Sequence, residues 1–141
     1  MSQSGMPAGD LHDETQGRYY HENFEFHIDV KKQLVRVKFG ERVTREEIAS
    51  YASALRLHSD FRPTFAEIVD LRDATELDLQ ANDFLRLADD VDPFSKDAKR
   101  AFVVRTSVQN HAARMHKILR AQRNIAIFNS IEEAEHWTRY S

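Results

Sequence analysis

Phe65-Ala66-Glu67-Ile68-Val69-Asp70-Leu71-Arg72-Asp73-Ala74-Thr75-Glu76-Leu77-Asp78 is the stretch on which the fold of this 141-residue chain turns. Its first half, Phe65 to Leu71, is a mostly continuous apolar run. Such runs fit strands covered on both faces, which is the habit of parallel sheets. Ala101 to Val104 and Ile125 to Phe128 share that character. Helical periodicity fills the gaps between them. Leu79 to Val91 carries Phe84, Leu85, Ala88 and Val91, and Val108 to Gln122 carries Val108, Ala112, Met115 and Leu119. The last segment opens with a capping box, Ser130 to Glu133, and sets Ile131, Ala134 and Trp137 on one stripe.

Upstream the pattern changes. From Asn23 to Val30, Phe24, Phe26, Ile28 and Val30 alternate with Glu25, His27 and Asp29; from Leu34 to Phe39, Val35, Val37 and Phe39 alternate with Arg36 and Lys38. This period of two predicts half-buried strands. The Lys31-Lys32-Gln33 turn makes them an antiparallel hairpin, in which acidic positions on one strand suit basic positions on the other. Gly40 ends the hairpin. Thr44 and Glu47 form a capping box that starts a helix running to about Leu57, with Ile48, Ala52 and Leu55 on one face. The expected order is ββαβαβαβα. It describes an α/β domain with a mixed five-stranded sheet and about four helices over residues 23–141. Residues 1–22 hold three of the four glycines and read as a flexible N-terminal arm.

Composition narrows the functional classes. No cysteine is present, so disulfides, thiolate nucleophiles and cysteine-based metal sites are excluded. No apolar run approaches the roughly 20 residues of a membrane span, and no signal-peptide core is read near residue 1. A soluble cytoplasmic protein is therefore expected, without stable membrane insertion. After Gly40 the chain has no glycine, which excludes phosphate-cradling loops in their usual form. A net charge of −3 gives no case for nucleic acid.

The element order and the segment Ile68 to Asp78 together resemble the STAS superfamily, and more closely its SpoIIAA-like bacterial branch, whose members are compared with lipid-binding SEC14 domains. The shared pattern is a buried strand ending in Asp70-Leu71, a loop from Arg72 to Leu77, Asp78, and a helix from Leu79. Ile125 to Phe128 followed by Ser130 to Ala134 and Trp137 is similar to that branch as well. The resemblance spans residues 23–140. It implies a regulatory, non-catalytic module that acts through protein contact, or a relative that holds a small apolar or lipid ligand between sheet and helices. Antagonists of this superfamily carry a phosphorylatable serine where the helix begins. Leu79, Gln80 and Ala81 stand there instead, so that switch is missing.

The residues offer several candidate sites. Open α/β sheets bind partners at the C-terminal ends of their strands. Arg72, Asp73, Thr75, Glu76 and Asp78 supply one such loop, and Thr106 and Ser107 the next. The carboxylates of the first loop lack calcium-loop spacing and its glycine, and Asp78 reads as a helix N-cap, so no metal is assigned. His111 and His116 lie five apart, about 140° around a helix, and diverge. Ser107 and Ser130 read as N-caps rather than nucleophiles. No cofactor is implied.

Charge is strongly segregated. Residues 66–97 hold ten acidic and three basic residues, and residues 98–131 hold seven basic and no acidic ones. Arg114, Lys117 and Arg120 recur every three positions and form a basic face. It suits phosphates, anionic lipid headgroups, an acidic partner surface, or the acidic region of a second copy in a homodimer. Met115, Ile118, Leu119, Phe84, Leu85 and Leu87 are the candidate lining of an apolar pocket.

Overall fold

A computed structural model describes residues 11–13, 18–80, 83, 92–120 and 124–140. The chain is α/β, with a seven-stranded mixed sheet. The hairpin read from the sequence is β3 (Phe24–Asp29) and β4 (Leu34–Phe39). Phe24 faces Phe39, Phe26 faces Val37 and Ile28 faces Val35, and all six are at most 3% exposed. Burying each such side chain contributes roughly 1.5–3 kcal/mol, so the hairpin alone anchors one end of the core. The acid–base pairing expected across it holds at Glu25 and Lys38. It fails elsewhere: His27 faces Arg36 and Asp29 faces Leu34. Asp29 instead accepts the Lys32 backbone N–H at 3.0 Å, within a turn where Gln33 takes φ 54°. Val30 leaves the strand and is exposed.

Two strands lie inside the segment read as an arm. β1 (Leu11–Asp13) pairs with β2 (Arg18–Tyr20), and β2 pairs antiparallel with β3. Tyr19 stacks on Phe26 at 4.8 Å between ring centres, so an aromatic contact ties this edge to the core. The described sheet thus has two strands beyond the expected five.

After β4 come β5 (Arg42–Thr44) and α1 (Arg45–Leu57). The Thr44 capping box forms in full: Thr44 Oγ1 accepts the Glu47 N–H, and Glu47 Oε1 accepts the Thr44 N–H at 2.9 Å. Tyr51, Ala52 and Leu55 are buried against the sheet, as the spacing requires. β6 (Ala66–Asp70), β8 (Arg100–Val103) and β9 (Ile125–Phe128) pair in parallel with β4 and one another, giving the order β1-β2-β3-β4-β6-β8-β9. A separate parallel pair joins β5 to β7 (Glu76–Asp78). α2 (Ser107–Arg120) follows β8, and α3 (Ile131–Tyr140) follows β9. These are the three helices whose bounds are described, and Asp83 is helical as well.

The sequence expectation for the helix from Leu79 to Val91 lies mostly outside the described residues. Its predicted start does not form. Glu76–Asp78 is a strand, and Leu79 and Gln80 are not helical. Asp78 is therefore no N-cap; it lies on β7 with its carboxylate 3.9 Å from Arg42.

Helices lie on both faces. α1 and α2 take the side bearing Phe24, Phe26, Val37, Val69 and Phe102. On the other side, Leu34, Ile68, Ala101 and Val103 pack with Ala134, Ile131 and Trp137 of α3.

Candidate functional site

The loop after β6 and the loop after β8 meet at the C-terminal ends of the strands, where sequence reasoning put the interaction surface. Asp70 is buried at the end of β6. Its two oxygens accept Arg72 Nε and Nη2, each at 3.0 Å, and Oδ1 also accepts the Arg72 backbone N–H at 3.0 Å. The bonds to Asp70 hold the Arg72 guanidinium above its ordinary pKa. Downstream, the Thr75 and Glu76 N–H groups both donate to Glu41 O at 2.8 Å, fixing the loop to the start of β5. Lys38 reaches Asp73 at 3.2 Å.

Gln109 joins the two loops. It is 1% exposed, although it is polar. Its Nε2 donates to Ala74 O at 2.8 Å and Arg72 O at 3.2 Å, while its Oε1 accepts the N–H groups of Arg105 at 2.7 Å and Thr106 at 3.2 Å. Arg105 Nη2 adds a bond to Arg72 O at 2.6 Å. A buried amide with this many backbone partners leaves little freedom to either loop. Asp73, Thr75, Glu76, Thr106 and Ser107 are exposed around it, and Arg72 is half-buried. The structure thus places these six expected residues on the two joined loops and their edges, with Asp78 two residues beyond Glu76 on β7. Thr106, not Ser107, caps α2: its Oγ1 accepts the Gln109 N–H at 3.2 Å. Ser107 is already the first helical residue.

The basic face is separate from this platform. Arg114 and Lys117 are exposed on α2, with Arg114 Nε bonded to Asn110 Oδ1 at 3.1 Å, and the Arg120 side chain lies outside the described residues. The segregated charges are partly spent inside the protein. Glu67 and Asp70 from the acidic half, and Arg100 from the basic half, are buried. Of the expected apolar face of α2, Ala112 and Met115 are partly buried and Val108 is exposed, while Gln109 and Ala113 are buried.

Beneath the platform lies a cluster that the sequence reading missed. Glu67 on β6 stands directly opposite Arg100 on β8. Arg100 Nε donates to Glu67 Oε1 at 2.9 Å, Arg100 Nη1 donates to Asp92 Oδ2, and Tyr51 of α1 donates its hydroxyl to Glu67 Oε2 at 2.5 Å. Asp92 Oδ1 accepts the Phe94 N–H at 3.0 Å, and the guanidinium lies over the Phe94 ring at 4.8 Å. Burial raises the Glu67 pKa, and burial with the neighbouring Glu67 charge raises that of Tyr51. Burial opposes the Arg100 charge too, but Glu67 and Asp92 outweigh it and hold the guanidinium above its ordinary range. The signal was present in the sequence: a lone charge inside a doubly covered strand demands a counter-charge, and Arg100 opens the next apolar run.

A cavity of about 80 Å³ adjoins this cluster, between the sheet, α1 and α2. Val43, Ile48, Val69, Phe102 and Ala112 form part of its apolar wall, and Tyr51, Glu67, Asp92 and Arg100 its polar end. The described residues of the expected pocket lining do not border it. Ile118 is exposed, and Met115 is not among the lining. Phe84, Leu85, Leu87 and the Leu119 side chain lie outside the described residues. His116 lines the cavity and packs on Phe102 at 5.4 Å between ring centres, while His111 is exposed. Among the described residues, no group of three acidic or histidine side chains is arranged to hold a metal, and no helix is long and apolar enough to cross a membrane.

The sequence matches no protein-family model, and neither a curated protein nor a solved structure matches it significantly.

Proposed function

We propose that this chain is a non-catalytic, cytoplasmic regulatory module of STAS-like type that works by binding a protein partner at the platform of the β6–β7 and β8–α2 loops. The observation that supports the reading is the Gln109 lock. A buried side chain bonded to four backbone groups of two loops holds their exposed residues in one arrangement before any partner arrives. Preorganisation of this kind lowers the entropic cost of association. Asp73, Thr75 and Glu76, with Arg105 and Ser107 beside them, give a mixed-charge surface suited to a polar protein interface. The cavity is smaller than the roughly 300–1,000 Å³ of pockets that enclose drug-sized ligands, so a lipid chain is not the reading adopted.

Thr75 and Glu76 are better probes than Arg72, whose reversal would also leave Asp70 buried without its cation. A photo-reactive phenylalanine at position 75 is expected to cross-link one discrete partner, with Glu76→Arg abolishing the product. The same group at exposed Leu57 is expected to give none. Equal products from both positions, or products indifferent to Glu76→Arg, would place the interface elsewhere.

A further inference from the structure

The cavity between the sheet, α1 and α2 has a chemistry of its own, independent of the loop platform. Arg100 is 5% exposed and borders this cavity but neither of the other two main clefts. Its Nε is engaged by Glu67 and its Nη1 by Asp92. Among the described residues no hydrogen-bond partner is found for Nη2, and Arg100 lines the cavity. A donor of this kind beside an apolar wall recognises an acceptor atom. Charge decides which acceptor. The polar end holds one guanidinium between two carboxylates and a phenol, so an anionic head would meet Glu67 and Asp92, and a cationic head would meet Arg100. A neutral oxygen avoids both penalties. Size decides the body. At about 80 Å³ the space is smaller than the ~150 Å³ apolar cavity that accepts benzene, which limits an occupant to about six heavy atoms at most.

We propose that this cavity binds a small neutral carbonyl compound, with its oxygen on Arg100 Nη2 and its apolar body against Val43, Ile48, Val69, Phe102 and Ala112. The reading concerns recognition, and no bond is made or broken.

Cyclopentanone is the probe, titrated into the full chain carrying isotope-labelled Val and Ile methyl groups. Cyclopentane, cyclopentylamine and butyrate serve as comparisons. Saturable shifts at the Val43, Ile48 and Val69 methyls are expected with the ketone, and affinity at least tenfold weaker for each comparison compound. Ala112→Leu fills the wall without touching the ion cluster and is expected to weaken ketone binding at least tenfold while leaving the rest of the spectrum in place. Arg100→Lys keeps the charge and removes Nη2; where it folds, it should bring ketone affinity down to that of cyclopentane. Should that variant not fold, the ketone–cyclopentane ratio carries the same question in the native chain. Absence of saturable shifts, equal affinity for cyclopentane, tighter binding of butyrate or the amine, or indifference to Ala112→Leu would each overturn the proposal.

Discussion

Gln33 shows how much one dihedral angle matters. Its φ of 54° lies in the left-handed region, where a side chain with a Cβ is strained and glycine is not. The residue sits in the hairpin turn, and its carbonyl accepts the Ala66 N–H at 2.9 Å, so the conformation is anchored to the start of β6. Gln33→Gly relieves the strain but gives the unfolded chain more freedom to lose. The balance is expected to favour the variant by about 0.5 kcal/mol, read as a higher urea midpoint with an unchanged slope. Glu67 and Arg100 make the complementary point about legibility. Each was visible as a charge in or beside an apolar run. Averaging over the run hid them, and only strand register reveals that they face each other. Asp92, a further 25 positions beyond Glu67, has no local pattern that would join it to them.

At the scale of elements, the long periodic segments were legible and the three-residue strands were not. β4, α1 and β9 fall at the residues that alternation, the Thr44 capping box and the apolar run indicated. β1, β2, β5 and β7 are too short for a period to show, and neighbours already in place determine them. The candidate loops were found because strand ends are where α/β sheets bind; Gln109, which joins them, was hidden because a glutamine on a helix ordinarily faces water. Gln109→Leu keeps the volume and removes the bonds. With the Ala74 carbonyl and the Arg105 and Thr106 N–H groups left without that partner, a loss of about 2–3 kcal/mol is expected in urea unfolding. Faster hydrogen exchange at Arg105 and Thr106 should accompany it, with β3 and β4 unchanged.

For the whole molecule, the buried ion cluster makes stability depend on pH in an unusual sense. The carboxyl of Glu67 keeps its proton to higher pH in the folded chain than at its ordinary value of 4.5. Between those two values the folded state binds more protons than the unfolded one, so stability falls as pH rises through the window and is fully retained below it. Urea midpoints of the native chain and Glu67→Gln, compared from about pH 4 to about pH 8, are expected to show this: the fall due to Glu67 disappears in the variant while the contributions of other carboxylates remain. The short β5–β7 ladder has a consequence in time. Its partners, Arg42–Thr44 and Glu76–Asp78, are joined through α1 and β6, and a ladder of three residues gains little until that long intervening loop is closed. It therefore zips late and opens early. A chain fresh from the ribosome would assemble the seven-stranded sheet first and shut this clasp last.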